Sequence, residues 1–397
     1  MSDPWLTIIG LGEDGAQGLS AAAREALERA EMVTGPPRHL ALLPALTAQR
    51  LEWPAPFTDG IARLMEHRGR RVVMLASGDP FWFGAGTTVT RHLDPGEWVA
   101  HPAPSTFSLA AARLGWALQD TVCIGLHAAP LARLRPHLAP GRAIIALMRD
   151  GEQVGALARY LSDLGFGAST LHVMEALGGP RECLRFAAAE AMDFQDIAHP
   201  VAVGITTSAG PAMPVISGLP DDLFASDGQI TKRPIRALTL SALAPRAGET
   251  LWDIGAGSGS IGIEWLLAHP ANRALAIEGD PIRAARARTN AANLGVDRLQ
   301  MIEGRAPETW PDGPAPDAVF IGGGLSEALL AALWARLPAD TRLVANAVTL
   351  ESESLLARWH GLKGGALLRV ELADAAPIGT RHGWKARYPV VQWSVTL

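Results

Sequence analysis

The sequence predicts an α/β protein made of two successive units. Apolar runs of strand length alternate with amphipathic helical runs along the chain. Two glycine loops, Gly10-Leu11-Gly12 and Gly255-Ala256-Gly257-Ser258-Gly259, each follow an apolar run. Between the halves, residues 206–228 become rich in turn formers, as in Thr206-Thr207-Ser208-Ala209-Gly210-Pro211 and Gly218-Leu219-Pro220-Asp221-Asp222. The glycine loops differ in spacing and flanks, so the halves are not repeats of one another. The expected division is 1–208, a linker over 209–228, and 229–397.

In the first half, Trp5–Ile9 is an apolar strand leading into the first glycine loop. Ser20 is placed to cap a helix reaching Ala30, with apolar residues at 23, 26, 27 and 30 on one face. Val72–Ala76 is continuously apolar, as a buried parallel strand must be, and ends in Ser77-Gly78-Asp79-Pro80. Trp98–Ala100 leads through Pro102-Ala103-Pro104-Ser105-Thr106 into a helix over Phe107–Leu114. Ala143–Leu147, Leu171–Met174 and Val201–Ile205 read as further strands, separated by helices expected at Gly155–Leu164 and Arg185–Met192.

The second half opens with a helix from Arg233 to Leu243, Pro234 suiting an early helical position. Residues 251–259 then read Leu-Trp-Asp-Ile-Gly-Ala-Gly-Ser-Gly. A helix follows over Ser260–Ala268, and a second apolar run, Ala274–Ile277, ends in Glu278. This is a βαβ unit with a ligand site at its carboxyl edge. The glycines let a ligand lie against bare peptide, and an acid at the tip of the second strand suits ribose hydroxyls. Asp280-Pro281 introduces a helix over Ile282–Asn293. Strands are expected at Gln300–Glu303, Asp317–Ile321, Arg342–Ala347, Leu367–Leu372 and Val390–Val395, seven with the first two.

Gly257, Gly259 and Gly262 also fit G-x-G-x-x-G, the dinucleotide fingerprint. Asp253 argues against a dinucleotide. A carboxylate two residues before the first glycine repels a diphosphate, yet it can accept from the ammonium of a methionine moiety. The terminal strand pair closing a parallel sheet points the same way, to S-adenosylmethionine.

Bulk composition narrows the function classes. With 397 residues, 48% hydrophobic and 19% charged, the chain is globular and long enough for two or three domains. A net charge of −5 provides no global field for nucleic acid, so an anionic substrate needs local arginines. Cys123 and Cys183 match no zinc spacing, and no metal is expected. No signal peptide is read at the start and no apolar run reaches the roughly 18 residues of a membrane span. A soluble cytoplasmic enzyme with no membrane partner is expected. The absence of G-x-S-x-G leaves a hydrolase without support.

Residues 229–347 resemble class I, Rossmann-like S-adenosylmethionine methyltransferases. The likeness rests on Gln229-Ile230-Thr231-Lys232-Arg233, Asp253 to Gly259, Glu303-Gly304-Arg305-Ala306-Pro307-Glu308 and Ile321-Gly322-Gly323-Gly324. The first half is similar to tetrapyrrole methylases through Gly10-Leu11-Gly12, Gly78-Asp79-Pro80, Ser105-Thr106 and Leu126-His127. Their succession resembles the bifunctional, decarboxylating methyltransferases of cobalamin biosynthesis, the linker and the Thr-Lys-Arg segment being the most specific part. The chain departs from the tetrapyrrole methylases in two places. Glu13-Asp14-Gly15 stands where Pro-Gly-Asp is usual, and Ala128-Ala129 follows His127 where Gly-Arg is common.

The resemblance implies a tetrapyrrole-methylase-type α/β domain followed by a seven-stranded class I domain, with two S-adenosylmethionine sites per chain. It implies methylation of a precorrin at C5 by the first domain. The second domain would methylate C15 and decarboxylate the C12 acetate, giving a precorrin-8-type product. The first site would use Gly10, Gly12, Gly78, Asp79, Ser105 and Thr106. In the second, Gly255, Ala256, Gly257, Ser258 and Gly259 would wrap the methionine end beside Asp253, Glu278 would take the ribose, Ala306 the adenine, and Thr231 would close the side. Arg233, Arg236, Arg305 and Arg381 are candidate partners for substrate carboxylates, and His382 is a candidate beside Arg381 in a loop between the last two strands. A homo-oligomer is expected.

Each assignment has a structural alternative. Asp253 and Ser105–Thr106 can cap helices, Asp79 can serve a turn, and Glu278 can be a solvated strand end. The arginines can form surface ion pairs, and His127 can be a satisfied structural histidine. At the level of function, the alternative is a generic small-molecule or RNA methyltransferase with an appended domain.

Overall fold

The computed structural model describes residues 4–397. The chain divides into two compact units. One holds the residues up to Leu131 together with His137–Pro211; the other holds Ala132–Pro136 and Ala212–Leu397. No helix among the described residues is long and apolar enough to cross a membrane.

The first unit contains two sheets. The first sheet is built from β1 (Leu6–Leu11), β2 (Met32–Gly35), β3 (Gln49–Glu52), β4 (Val72–Ser77) and β5 (Trp98–His101), all parallel, in the order β3-β2-β4-β1-β5. Its connections carry helices α1 (Ala21–Arg29), α2 (Pro37–Ala41), α3 (Phe57–Met65) and α4 (Ala85–Thr90). Strand residues point alternately to two buried faces. Ile9, Val33, Val73 and Leu75 therefore meet Leu19, Leu27 and Leu40, while Ile8, Met32 and Met74 meet Leu64 and Val89. Ser20 caps α1 by accepting from the Ala23 N–H, as its position in the sequence predicts.

Helix α5 (Thr106–Leu114) leads to the second sheet, made of β6 (Val122–Gly125), β7 (Ala143–Met148), β8 (Thr170–Glu175), β9 (Cys183–Ala188) and β10 (Val201–Thr206), with α6 (Gly151–Asp163) between β7 and β8. The order is β6-β7-β10-β8-β9, with only β6 and β7 parallel. The helix expected over Arg185–Met192 is not formed. β9 pairs with β8, and Arg185 reaches Glu175 on that neighbour at 2.6 Å. The alanine-rich run favours helix intrinsically, but the strand partner and this ion pair override that preference.

The second unit begins with α7 (Arg233–Leu243) and continues through β11 (Thr250–Ile254), α8 (Ser260–Ala268), β12 (Arg273–Glu278), α9 (Pro281–Asn293), β13 (Gln300–Glu303), β14 (Ala318–Ile321), α10 (Glu327–Arg336), β15 (Arg342–Ala347) and α11 (Leu350–Lys363). β16 (Ala366–Val370), a two-stranded hairpin of β17 (Ala373–Ile378) and β18 (Arg381–Ala386), and β19 (Val390–Thr396) complete it. The main sheet has the order β13-β12-β11-β14-β15-β19-β16, parallel through β15 and antiparallel in its last two pairings. This is the seven-stranded sheet the sequence predicts. The hairpin was not anticipated, and it corrects one expectation: Arg381 and His382 lie on exposed strand β18 rather than in a loop.

Residues 213–232 are not a free connector. Met213, Leu219 and Phe224 are buried in the second unit's core, and the rest forms a strap held by Arg236. This side chain is 0% exposed. Its guanidinium donates to Glu264 at 2.5 Å, to Asp221 at 2.9 Å, and to the Thr231 and Leu219 carbonyls, and it stacks on Phe224. Glu264 in turn accepts from the Gly218 and Leu219 N–H groups at 2.6 and 3.0 Å. Arg236 is therefore not available to a substrate carboxylate, because every face of its planar fork is committed inside the unit. Asn290 ties the same strap to the glycine loop, donating to the Ala225 and Ser258 carbonyls and accepting from the Ala225 N–H.

Replacing Arg236 with Leu leaves the Glu264 carboxylate buried without its cation. The expected cost is about 3–5 kcal/mol, the range for breaking a buried pair by removing one partner. In chemical denaturation the second unit's transition should move down accordingly and the first unit's should not. A loss below about 1 kcal/mol, the size of a surface pair, would contradict the assignment.

Candidate active sites

In the second unit, the parallel strands end at a cavity of about 1050 Å³. It lies where open α/β sheets hold ligands, outside the carboxyl ends of the strands. After β11 the chain turns through Gly255 and Gly257 with φ of 72° and 57°, left-handed values that favour glycine. At Gly255 a further constraint applies: an added Cβ would stand 2.5 Å from the Gly323 nitrogen, so the loops after β11 and β14 touch backbone to backbone. Gly257 opens on the cavity, together with Gly255, Ala256 and Ser258. Gly259 does not line it. Its backbone caps α8 and its missing side chain makes room for Ala287.

Glu278 is buried at the tip of β12 and lines the cavity. It accepts from the Gly257 N–H at 2.8 Å and from the Asp280 N–H at 2.9 Å. The carboxylate thus pins the loop tip to the next strand, and each oxygen keeps lone-pair capacity for a hydroxyl donor. Ser258 is also buried on the wall, and its hydroxyl has no partner among the described residues.

Asp253 takes the helix-start role named as its structural alternative. It is fully buried and absent from the cavity wall. One oxygen accepts from the Gly262 N–H at 3.0 Å in the first turn of α8, and the other has no partner. Burial pushes its pKa up to about 7, against the pull of the Gly262 hydrogen bond, with the Glu278 charge adding to the rise. The side chain holds the helix start beneath the loop, and none of it lines the cavity.

Thr231, Ala306 and Arg305 line the cavity. Arg305 is the one of the four candidate arginines on the wall. Arg233 sits at the start of α7, where its backbone N–H donates to Asp221; it, Arg381 and His382 do not line the cavity. Unforeseen lining residues are Lys232, Asn346, Arg387 and Tyr388. Lys232 lies inside the Gln229–Arg233 motif, though no role was assigned to it. Arg387 and Tyr388 follow the hairpin, whose presence no periodicity signalled; Arg387 pairs with Asp374 at 2.6 Å, and Tyr388 is 87% exposed.

The first unit has its own cavity, of about 320 Å³. Gly12 after β1, Gly78 and Asp79 after β4, and Ser105 and Thr106 at the start of α5 all line it. Asp79 closes its own turn by accepting from the Phe81 N–H at 2.9 Å, and Ser105 caps α5 by accepting from the Ser108 N–H at 3.1 Å. These residues therefore fill the structural role and face the cavity as well. Gly10 lies behind the wall: an added Cβ would stand 1.9 Å from the Gly78 carbonyl oxygen and 2.5 Å from the Ala103 nitrogen. Its absence of a side chain lets the loops converge.

Glu13 and Ser77 also face this cavity, with Arg38, His39 and His199, three polar side chains that no sequence motif pointed to. Glu13, standing where the resembling family carries proline, accepts from Arg38 and from Arg181. His39 is buried and its pKa is pushed down to about 4, by burial first and then by the Arg38 charge, so its imidazole is neutral near pH 7. Its Nε2 lies 2.8 Å from Arg38 and 2.9 Å from the Ser77 hydroxyl. His127 lines the cavity too, and burial pushes its pKa down. Trp53, Phe57, Trp82 and Phe83 give the site an aromatic side.

Precorrin methyltransferase domains match residues 222–397, and tetrapyrrole (corrin/porphyrin) methylases match residues 5–192. A Sinorhizobium sp protein named precorrin-6Y C(5,15)-methyltransferase (decarboxylating) is 48% identical over 99% of this chain and 96% of its own. A Mycobacterium tuberculosis protein of the same name is 40% identical over 98% of this chain and 99% of its own. A crystal structure of the C-terminal domain of precorrin-6Y C5,15-methyltransferase from Rhodobacter capsulatus is 51% identical; the match covers 47% of this chain and 100% of that one, with a TM-score of 0.45.

The raised Asp253 pKa has a measurable consequence. Between the ordinary value of 3.8 and the folded value of about 7, the folded state binds a proton that the unfolded state has released. Asp253 therefore lowers stability progressively as pH rises through that window. Asp253→Asn does not titrate, so its stability relative to the parent chain should climb from pH 4 to pH 7 and level off above. Denaturation at pH 5 and pH 8 measures this; an unchanged difference would mean that the carboxyl titrates normally.

Proposed function

This chain belongs to the family of decarboxylating precorrin-6Y C5,15-methyltransferases, and from that premise we propose that it divides its two methylations between two sites, one in each unit. It is a methyltransferase of cobalamin biosynthesis that uses S-adenosylmethionine and acts on a precorrin with decarboxylation. In our reading, the first unit methylates C5. The second methylates C15 and removes the C12 acetate carboxyl, giving a precorrin-8-type product.

The observation that supports two sites is the pair of separate cavities, each beneath a glycine loop at the carboxyl edge of a parallel sheet. The second cavity fits a nucleoside with a charged amino-acid tail. Bare peptide at Gly255 to Gly257 leaves room for the tail, and the unpartnered Ser258 hydroxyl and the Glu278 carboxylate offer polar partners. Gly255, Ala256, Gly257 and Ser258 would hold the methionine end, Glu278 the ribose and Ala306 the adenine, with Thr231 on the strap closing the side. In the first cavity Gly12, Gly78, Asp79, Ser105 and Thr106 would surround the donor. The bound donor supplies an activated methyl group on sulfonium sulfur.

The protein's part is alignment and charge. Holding an acceptor carbon in line with a methyl group can be worth up to about 7–11 kcal/mol. In the second site, Lys232, Arg305 and Arg387 face the cavity and would receive the acetate and propionate groups of the macrocycle. Val348, Val370, Leu372 and Val390 form an apolar side of the same cavity. A carboxylate seated there loses water. Its C–C bond electrons then pass into the conjugated ring as carbon dioxide leaves, and a proton taken up from water completes the methyl group left at C12.

Equilibrium dialysis with labelled S-adenosylmethionine should find two equivalents per chain. Glu278→Ala and Gly78→Val should each remove one, the latter because Gly78 has φ of 50° and an added Cβ would stand 2.9 Å from the Pro104 carbonyl oxygen. With a precorrin substrate, Glu278→Ala should keep one methyl transfer and release no carbon dioxide. A single equivalent in the parent chain, or loss of both transfers in either folded variant, would refute independent sites.

A further inference from the structure

Three polar side chains distant in sequence, Thr239, Asn346 and Gln392, meet behind the second unit's cavity. Thr239 lies on α7; Asn346 on β15 and Gln392 on β19 are direct partners across the antiparallel pair. Thr239 and Gln392 are buried, and Asn346 reaches the cavity wall. A hydroxyl has one proton and two lone pairs. Thr239 spends its proton on the Ile235 carbonyl at 2.8 Å. It can therefore only accept from its other two neighbours, Asn346 Nδ2 at 2.9 Å and Gln392 Nε2 at 3.0 Å. Both amides are thus fixed with nitrogen toward Thr239. The second Gln392 Nε2 proton goes to Asn346 Oδ1 at 3.0 Å. One N–H of Asn346 is left without a partner among the described residues, on a side chain that can no longer flip.

We propose that Asn346 is a substrate-binding residue, donating this N–H to a side-chain carboxylate of the tetrapyrrole, with Thr239 and Gln392 as positioning residues that fix its direction. The inference rests on reading the second cavity as a methyl-transfer site. Strand order assigns the ligand. Glu278 and the glycine loop stand at the ends of β12 and β11, and Ala306 follows β13, whereas β15 lies beyond β14 on the opposite side. Around the β15 end the wall carries Val370 and Val390, paired across β16 and β19, with Arg387 and Tyr388 close in sequence to Val390. An anion entering an apolar wall needs its hydrogen-bond partners already oriented.

The test uses the full chain, labelled S-adenosylmethionine and a precorrin substrate. Asn346→Asp keeps the shape, removes both N–H donors and sets a negative charge against the substrate carboxylate; it should raise KM for the precorrin by at least about tenfold, the smallest loss expected for one hydrogen bond to a charged group. Donor affinity, by calorimetry, should stay at the parent value, while the unfolding midpoint falls with the lost bond to Thr239. Thr239→Val, which frees the amide, should move KM the same way, and Thr239→Ser, which keeps the hydroxyl, should restore it. An unchanged KM in folded Asn346→Asp, or a loss confined to donor affinity, overturns the proposal. Failure of the parent chain to methylate any precorrin would instead bring down the reading of the cavity itself, and the proposal with it.

Discussion

A ligand cradle made of bare peptide has no side chains of its own to hold it in place, and in the second unit buried carboxylates supply the restraint. Glu278 holds the Gly257 amide, Asp253 holds the Gly262 amide, and Glu264 holds the amides of Gly218 and Leu219. Only Glu264 has a buried cation opposite it, Arg236, which also gathers the Leu219 and Thr231 carbonyls. The strap residues that face the cavity, Gln229 to Lys232, follow from that arrangement. Without it, the glycine loop would lack a lid and the strap would lack an anchor.

Much of this was legible from residues alone. Strands β11, β12 and β14 of the second unit could be read because each is a largely apolar run buried on two faces, and the loop glycines because few other residues turn so tightly. Glu278 was found because it ends a strand beside that loop. Other features depend on partners remote in sequence. β9 looks helical until β8 pairs with it. Arg236 looks like a substrate ligand until Glu264 and Asp221 surround it. Asp253 occupies the motif position expected of a ligand, yet strand alternation turns it beneath the loop. Thr239, Asn346 and Gln392 carry no local pattern at all, and only the sheet brings them together.

The two cavities are built differently. The second lies at the edge of one sheet and is roomy, about 1050 Å³, with cations around it. The first is about 320 Å³ and takes walls from both sheets of its unit, with aromatic rings on one side and a neutral buried histidine on another. Glu13 there shows how a departure from family pattern is absorbed. The extra carboxylate is neutralised by Arg38 and Arg181, so the wall gains a polar cluster without gaining an unpaired charge.

The contact between Gly255 and Gly323 has one more effect. Because a single methyl group would not fit between those two backbones, the turn that faces the donor and the turn at the next strand behave as interlocked gear teeth. A side chain at position 255 would have to push the turn after β14 aside, so the two turns can only be built as one piece.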